Sequence, residues 1–127
     1  MDMDLFSGVT VTEGALNISR TANLTGTAID TQQFEGKWSA ILSAGAATAG
    51  SSPTLDVVIK SSTASGGSYA TISDASFTQV TDTASTQIVG IDKKSHDRYV
   101  KVYGTLGGTS TPTFPYGVAF VSRAKAV

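Results

Sequence analysis

The stretch TLDVVIKSS, residues 54–62, carries the clearest strand signal in the chain. Leu55, Val57 and Ile59 alternate there with more polar neighbours. Because successive side chains of a strand point to opposite faces, this period of two predicts one buried face and one solvated face. Gly66 and Gly67 follow within a Ser-rich stretch, and glycine readily adopts the positive φ angles of tight turns. The segment therefore predicts a β-strand that runs into a hairpin or a wide turn.

Three other segments show the same alternation: KWSAILSAGA at 37–46, RYVKVYGT at 98–105 and YGVAFVSR at 116–123. Between the last two lies GTLGGTSTPTF, 104–114, whose Gly, Thr and Pro content predicts a loop. Each alternating segment is expected to turn one set of side chains toward a core. Val100 and Val102 are predicted to face the core. In the other two segments, Trp38, Ala40 and Leu42 share one face opposite Ser39, Ile41 and Ser43, and Tyr116, Val118 and Phe120 share one face opposite Gly117, Ala119 and Val121.

Several short strands separated by turn signals predict an all-β fold, either an antiparallel β-sandwich or a jelly roll. Both alternate inward and outward residues, so strand order stays open at this stage. Residues 1–25 show no sustained period, which predicts an extended N-terminal arm or one edge strand that orders against a partner. Residues 26–127 are then a single domain, and deletion of residues 1 to about 36 is expected to leave the domain folded.

Composition excludes several classes of function. Nine Lys and Arg balance ten Asp and Glu, and only 15% of residues are charged, which disfavours nucleic-acid and membrane-surface binding. The absence of cysteine excludes disulfides and Cys-based zinc sites. The start, MDMDLF, lacks the basic region of a signal peptide, and no apolar run approaches the roughly 20 residues of a membrane span. We therefore expect synthesis in a cytoplasm and no membrane partner.

Ser95, His96 and Asp97 are adjacent and are the three residue types of a hydrolase triad. A triad needs the imidazole between hydroxyl and carboxylate, and neighbouring side chains diverge too far for that. The stretch is interpreted as a polar turn that leads into a strand, and substitution of His96 is expected to change nothing measurable. The aspartates mostly occupy turn-like positions, and no calcium-loop or phosphate-loop spacing occurs. We expect no catalytic residue, metal, cofactor or small-molecule substrate.

Arg98, Tyr99, Lys101 and Tyr103 form an alternating strip of basic and aromatic residues. Such a strip could stack on a sugar or on single-stranded nucleic acid, or form a protein interface. Without excess positive charge, nucleic acid is disfavoured. Trp38 is more typical of a core anchor than of a ligand platform, although it stays a candidate contact.

Three blocks of the chain resemble the capsid decoration, or cement, proteins of tailed bacteriophages: LDVVIKSSTASGGSYATI at 55–72, SFTQV at 76–80, and STQIVGIDKKSHDRYVKVYGTLGGTSTPTFPYGVAFV at 85–121. The resemblance covers about half of the chain and follows the order of strands and turns, not a catalytic signature.

The resemblance implies a virion protein that binds the outside of the mature head, often as a homotrimer at threefold positions. Its partner would be the major capsid protein, whose neighbouring subunits it clamps against the pressure of the packaged DNA. Two alternatives stay open: another phage part, such as a head fibre base or a tail domain, or a glycan-binding β-sandwich. The candidate interface residues are Leu5, Phe6, Val9, Val11, Trp38, Arg98, Tyr99, Lys101 and Tyr103.

Overall fold

The protein is seen in a computed structural model that describes residues 9–123, with the backbone alone at position 74. Within these residues the chain forms β-strands and a short 3-10 turn, Lys93–Ser95, and contains no α-helix, which confirms the predicted all-β class. The strands are β1 Val9–Arg20, β2 Leu24–Thr25, β3 Ile29–Asp30, β4 Lys37–Ala44, β5 Ala49–Ser62, β6 Ala70–Ser76, β7 Ser85–Asp92 and β8 Tyr99–Arg123.

The long strand β8 belongs to two sheets. The C-terminal part of β8 pairs with β1 on one side and with β4 on the other, and β4 pairs with β7. The first sheet therefore has the strand order β1, β8, β4, β7. The N-terminal part of β8 pairs with β2 and β3 on one side and β5 on the other, and β5 pairs with β6 to complete the second sheet. All of these pairs are antiparallel. Two four-stranded sheets connected in this way form a jelly roll, so the strand order resolves the alternative that sequence alone left open.

The segment predicted as a loop at 104–114 is instead the bend of β8 from one sheet to the other. Gly108, Ser110 and Thr111 have φ angles of 109°, 60° and 55° there. A side chain at Gly108 would meet the carbonyl oxygen of Ser51 at 2.8 Å, so only glycine fits the close approach of β5. The Gly- and Pro-rich composition therefore marks a corner within a continuous strand.

The core lies between the sheets. Tyr116, on the part of β8 in the first sheet, extends to Gly104 on the part in the second. The alternation of Leu55, Val57 and Ile59 is confirmed, since each is at most 1% exposed. Val100 and Val102, predicted to face the core, are buried as well. In the other two segments, the buried faces are those of Trp38, Ala40 and Leu42 and of Tyr116, Val118 and Phe120.

Residues 9–20 form β1, an edge strand of the first sheet, and not an extended arm. Gly14 approaches Phe120 and Val102 closely, and Ala15 is buried. A truncation that removes β1 is therefore expected to uncover the core and destabilise the domain, in contrast to the expectation of a dispensable arm. The division at residue 25 stays a prediction, and residues 1–8 lie outside the described part.

Candidate interaction surfaces

The candidate interface residues fall on opposite faces of the jelly roll. Val9 and Val11 lie on the outer face of the first sheet, in register with Arg123 and Val121 of β8. The basic and aromatic residues of β8 alternate with the buried Val100 and Val102 and so lie on the outer face of the second sheet. The group on the second sheet comprises Arg98, Tyr99, Lys101 and Tyr103. One flat contact cannot cover this group together with Val9 and Val11. Leu5 and Phe6 lie outside the described residues.

Trp38 is a core residue and must be removed from the candidate contacts. It is 2% exposed, and its ring makes edge contacts with Phe34 and Phe120 at centroid distances of 5.3 and 4.8 Å. Its Nε1 donates a hydrogen bond of 3.0 Å to Nε2 of His96. A large aromatic ring buried with its polar atom satisfied acts as an anchor for packing.

The same hydrogen bond settles the role of His96. Because Nε2 accepts from Trp38, Nδ1 carries the proton and donates to the carbonyl of Asp97 over 2.6 Å. Burial lowers the pKa of His96 from its ordinary 6.5, against the opposing effect of the Asp97 carbonyl. Ser95 Oγ donates to the carbonyl of Asp92 over 2.7 Å. Neither ring nitrogen is therefore engaged with Ser95 or the Asp97 carboxylate, and His96 is a structural partner of Trp38, not a replaceable turn residue.

The outer face of the first sheet has an apolar centre, which is bordered by the polar side chains of Glu13, Ser39 and Ser43. Ile41 lies between Ala119 and Ile88 on the neighbouring strands, and the exposed fractions of Val11 and Ile88 reach 68% and 66%. Between them the small side chains of β4 and β8 leave a shallow trough of about 320 Å³. We call this surface the apolar face and define it by Val9, Val11, Ile41, Ile88, Ala119 and Val121.

β1 extends the apolar face to the edge of the sheet. It pairs with β8 alone among the described strands, so its other edge presents unpaired backbone groups. Leu16 and Ile18, near its end, are 53% and 45% exposed. β1 is 12 residues long and four of its side chains are exposed aliphatics, so the exposed Glu13 and the two register shifts are the features that protect this edge from unspecific pairing. This edge is suited to contact with another protein.

The outer face of the second sheet carries a different surface, which we call the Lys–Tyr strip and define by Lys60, Tyr69, Tyr99, Lys101 and Tyr103. Lys60 and Lys101 are directly opposite each other on β5 and β8. The Lys60 ammonium lies 4.5 Å from the ring centroid of Tyr103, and that of Lys101 lies 4.6 Å from the centroid of Tyr69. Cation–π contacts of this kind hold two like charges side by side.

Arg98 borders the strip but its charge is already paired. Its Nε and Nη2 donate to the two carboxylate oxygens of Asp30 over 2.9 and 2.7 Å, a bidentate pair that ties β3 to the start of β8. This contact holds the pKa of Asp30 at about 2. The Arg98 guanidinium also lies 5.0 Å from the ring centroid of Tyr99. The unpaired positive charge of this face is therefore that of Lys60 and Lys101.

Among the side chains that the structure describes, no cluster of three or more His, Asp or Glu could hold a metal ion. The same part of the chain forms no helix that is long and apolar enough to cross a membrane.

Comparison with known proteins gives likeness of fold only. No family model matches the chain, and no curated protein matches it in sequence. The crystal structure of the SPBc2 prophage-derived protein YomS is similar, with a TM-score of 0.53 at 13% identity over 90% of this chain and 93% of that one. A structure of infectious bursal disease virus, Gx strain, gives 0.57 at 7% identity over 94% of this chain. The VP2 subviral particle of infectious bursal disease virus gives 0.54 at 14% identity over 91%. This chain spans about a third of each of those two viral chains, 33% and 32%.

Proposed function

We propose that the chain is a non-enzymatic structural protein of a phage virion that binds the outer surface of the mature head and stabilises contacts between capsid subunits. The observation that carries this proposal is the apolar face together with the edge of β1 that no other described strand pairs with. Sequence resemblance to phage decoration proteins supports it.

The distribution of exposed aliphatic side chains favours a protein partner. The large exposed hydrophobics among the described residues are Val9, Val11, Leu16, Ile18 and Ile88, and all except Ile88 belong to β1. Val9, Val11 and Ile88 lie with Ile41 on the apolar face, whereas Ile18 is in register with the buried Tyr116 and lies with Leu16 on the other side of β1. Hydrophobic residues scattered singly over a surface need no explanation, but a contiguous apolar patch such as the first group marks a binding site. A neighbouring chain could both cover this patch and add a strand to the free edge.

The partner in this proposal is the major capsid protein, and the copies of this chain form a homotrimer at threefold positions on the capsid exterior. A trimer bound at such a position contacts several capsid subunits at once, and this multivalency strengthens binding beyond that of one copy. The chain has no excess of positive charge for nucleic acid, which agrees with a location outside the head.

The test is co-sedimentation with expanded and with unexpanded heads of the phage whose genome encodes the chain. We expect binding to expanded heads, and loss of binding in the variants Val11→Lys and Ile88→Lys, which place a charge in the apolar face. Thr105→Lys, exposed on the opposite sheet, is the matched control and should bind like wild type. Full binding by both apolar-face variants would reject the apolar face as the contact.

The same experiment separates the alternatives. Binding to expanded but not to unexpanded heads would favour a decoration protein over a head fibre base or a tail domain. A glycan-binding function would have to use Tyr99 and Tyr103 without Trp38, because the indole is buried. The Tyr69 and Tyr103 rings are tilted by 53° and the Lys60 ammonium lies over Tyr103, so they do not form a flat platform. A glycan array that showed specific binding would favour this alternative.

A further inference from the structure

The Lys–Tyr strip concentrates positive charge on one face of a chain whose net charge is −1. Among residues with described side chains, neither Lys60 nor Lys101 forms an ion pair with a carboxylate, and each ammonium instead contacts a tyrosine ring. Like charges directly opposite on paired strands destabilise a sheet by themselves. The arrangement is therefore suited to a ligand that brings two negative charges.

The chain itself contains a segment with matching charges. Residues 1–8, MDMDLFSG, carry Asp2 and Asp4 and no basic side chain. In an extended segment, residues two apart lie on the same side, about 6.7 Å from each other. Two carboxylates with this spacing can face two lysines that project from adjacent strands about 5 Å apart.

We propose that the Lys–Tyr strip binds the N-terminal segment of a second copy of this chain, with Asp2 and Asp4 paired to Lys60 and Lys101. In an extended segment Phe6 would share the side of Asp2 and Asp4, toward the tyrosine rings of the strip. This contact goes beyond the proposed function, because it joins copies of the chain to each other and needs no capsid.

The reach of the segment favours a second copy over the same chain. Asp4 is five residues from Val9, where β1 starts on the first sheet, so it extends about 17 Å at most. The strip is on the outside of the second sheet, about 10 Å away through the core, and Lys60 lies about 10 Å in from the β3 edge. Lys101, on β8, lies about 5 Å in from the same edge. A segment folded back over its own chain would therefore have to run almost fully extended to bring Asp4 to Lys101, and it could not bring Asp4 to Lys60. In such a contact between copies, each copy donates its segment to one neighbour and accepts the segment of another. The assembly closes into a ring when the rotation that relates neighbouring copies adds up to a full turn.

Light scattering on the full chain over a hundredfold concentration range tests this contact. We expect the wild type to form an oligomer, and Asp2→Lys with Asp4→Lys, or Lys60→Asp with Lys101→Asp, to weaken its assembly by about 10- to 30-fold. Combining all four charge reversals should restore assembly, because attraction is regained with opposite signs. Lys37→Asp with Lys94→Asp, two exposed lysines away from the strip, is the matched control and should assemble like wild type.

A peptide with the sequence of residues 1–8 supplies a second measurement that needs no variant of the protein. In excess it should dissociate the wild-type oligomer, whereas the same peptide with lysine at both aspartate positions should not. A wild type that is monomeric throughout, an oligomer unaffected by Lys60→Asp with Lys101→Asp, or no rescue by the fourfold reversal would each overturn the contact. None of these outcomes bears on head binding through the apolar face, which Val11→Lys tests separately.

Discussion

The indole Nε1 of Trp38 donates a hydrogen bond of 3.0 Å to the imidazole Nε2 of His96, although the two residues are 58 positions apart in the chain. The two rings are nearly perpendicular, with an interplanar angle of 86°. Trp38 begins the buried face of β4, and His96 belongs to the polar connection between β7 and β8. The contact therefore closes one end of the core with a residue from a turn.

His96→Ala is expected to destabilise the protein by about 1–2 kcal/mol, because the buried indole N–H loses its acceptor. Urea unfolding followed by tryptophan fluorescence would measure the loss, since Trp38 is the only tryptophan. Lys94→Ala, which removes an exposed side chain in the same turn, should change stability by less than about 0.5 kcal/mol. Equal midpoints for the two variants would show that the hydrogen bond contributes nothing.

Stability should depend on pH through His96. Burial lowers its pKa in the folded state below the ordinary 6.5, so the unfolded chain binds more protons between the two values. The free energy of unfolding therefore rises with pH in that interval. The contribution of neutral His96 to this free energy is complete above pH 6.5 and is lost as pH falls through the pKa of the folded state. Urea midpoints from about pH 8 to about pH 5 should fall more for wild type than for His96→Gln, which cannot titrate. Parallel curves would contradict this.

The alternation of Leu55, Val57 and Ile59 predicted their burial because it depends only on the local geometry of a strand. Periodicity could not distinguish an edge strand from an extended arm over residues 9–20, since the pairing of β1 with β8 shifts register between Glu13 and Ala15 and again before Ile18. Bulges of this kind break the alternation, so an edge strand had the sequence pattern of an extended arm.

The binding surfaces could be predicted only in part, because they depend on pairing between distant segments. The strip of β8 was visible in RYVKV, but its contact with Lys60 and Tyr69 requires the register of β5 against β8. Likewise, Ile41 and Ile88 form one apolar surface only after β4 and β7 pair. Residue spacing within one segment contains no information about such partners.

The Asp30–Arg98 pair should protect the protein against acid. Its bidentate hydrogen bonds hold the pKa of Asp30 at about 2, against 3.8 in the absence of a partner. Between pH 3.8 and about 2, the folded state therefore keeps Asp30 ionised whereas the unfolded chain takes up a proton. The contribution of the pair to the free energy of unfolding is present above pH 3.8 and is lost as pH falls through about 2. The stability difference between wild type and Asp30→Asn should shrink over this range. A difference that stays constant would mean that the ion pair is not what stabilises this edge.

Val100→Asp and Val102→Asp should each prevent cooperative folding, because both positions are 0% exposed between the sheets and a carboxylate there would be buried without a partner. Circular dichroism during heating would show the loss of a sharp transition. Thr105→Asn, a polar substitution at an exposed position on the same strand that adds no charge opposite Asp56, is the matched control and should melt like wild type. Normal melting of the two valine variants would mean that β8 presents the opposite face to the core.

Gly104 is expected to be irreplaceable because the Tyr116 hydroxyl occupies the space of a side chain at that position. Tyr116 is 0% exposed, and its hydroxyl has no hydrogen-bond partner among the described residues. Gly104→Ala should therefore destabilise the protein by about 1–3 kcal/mol through overpacking. Gly90→Ala is the matched control in β7, where no atom lies within 4 Å of the added methyl group.

Gly90→Ala should leave stability unchanged or raise it by up to about 1 kcal/mol, because alanine restricts the unfolded chain. Tyr116→Phe removes the oxygen that a methyl group at position 104 would meet, and it leaves no acceptor or donor unpaired. The double variant Gly104→Ala with Tyr116→Phe should thus regain part of the lost stability, although the ring carbon Cζ, 3.0 Å from the added methyl, keeps the recovery incomplete. Urea midpoints of the two single variants and the double variant give the coupling energy. Strictly additive effects would show that Gly104 and Tyr116 do not share this space, and that the two sheets are held apart by other side chains.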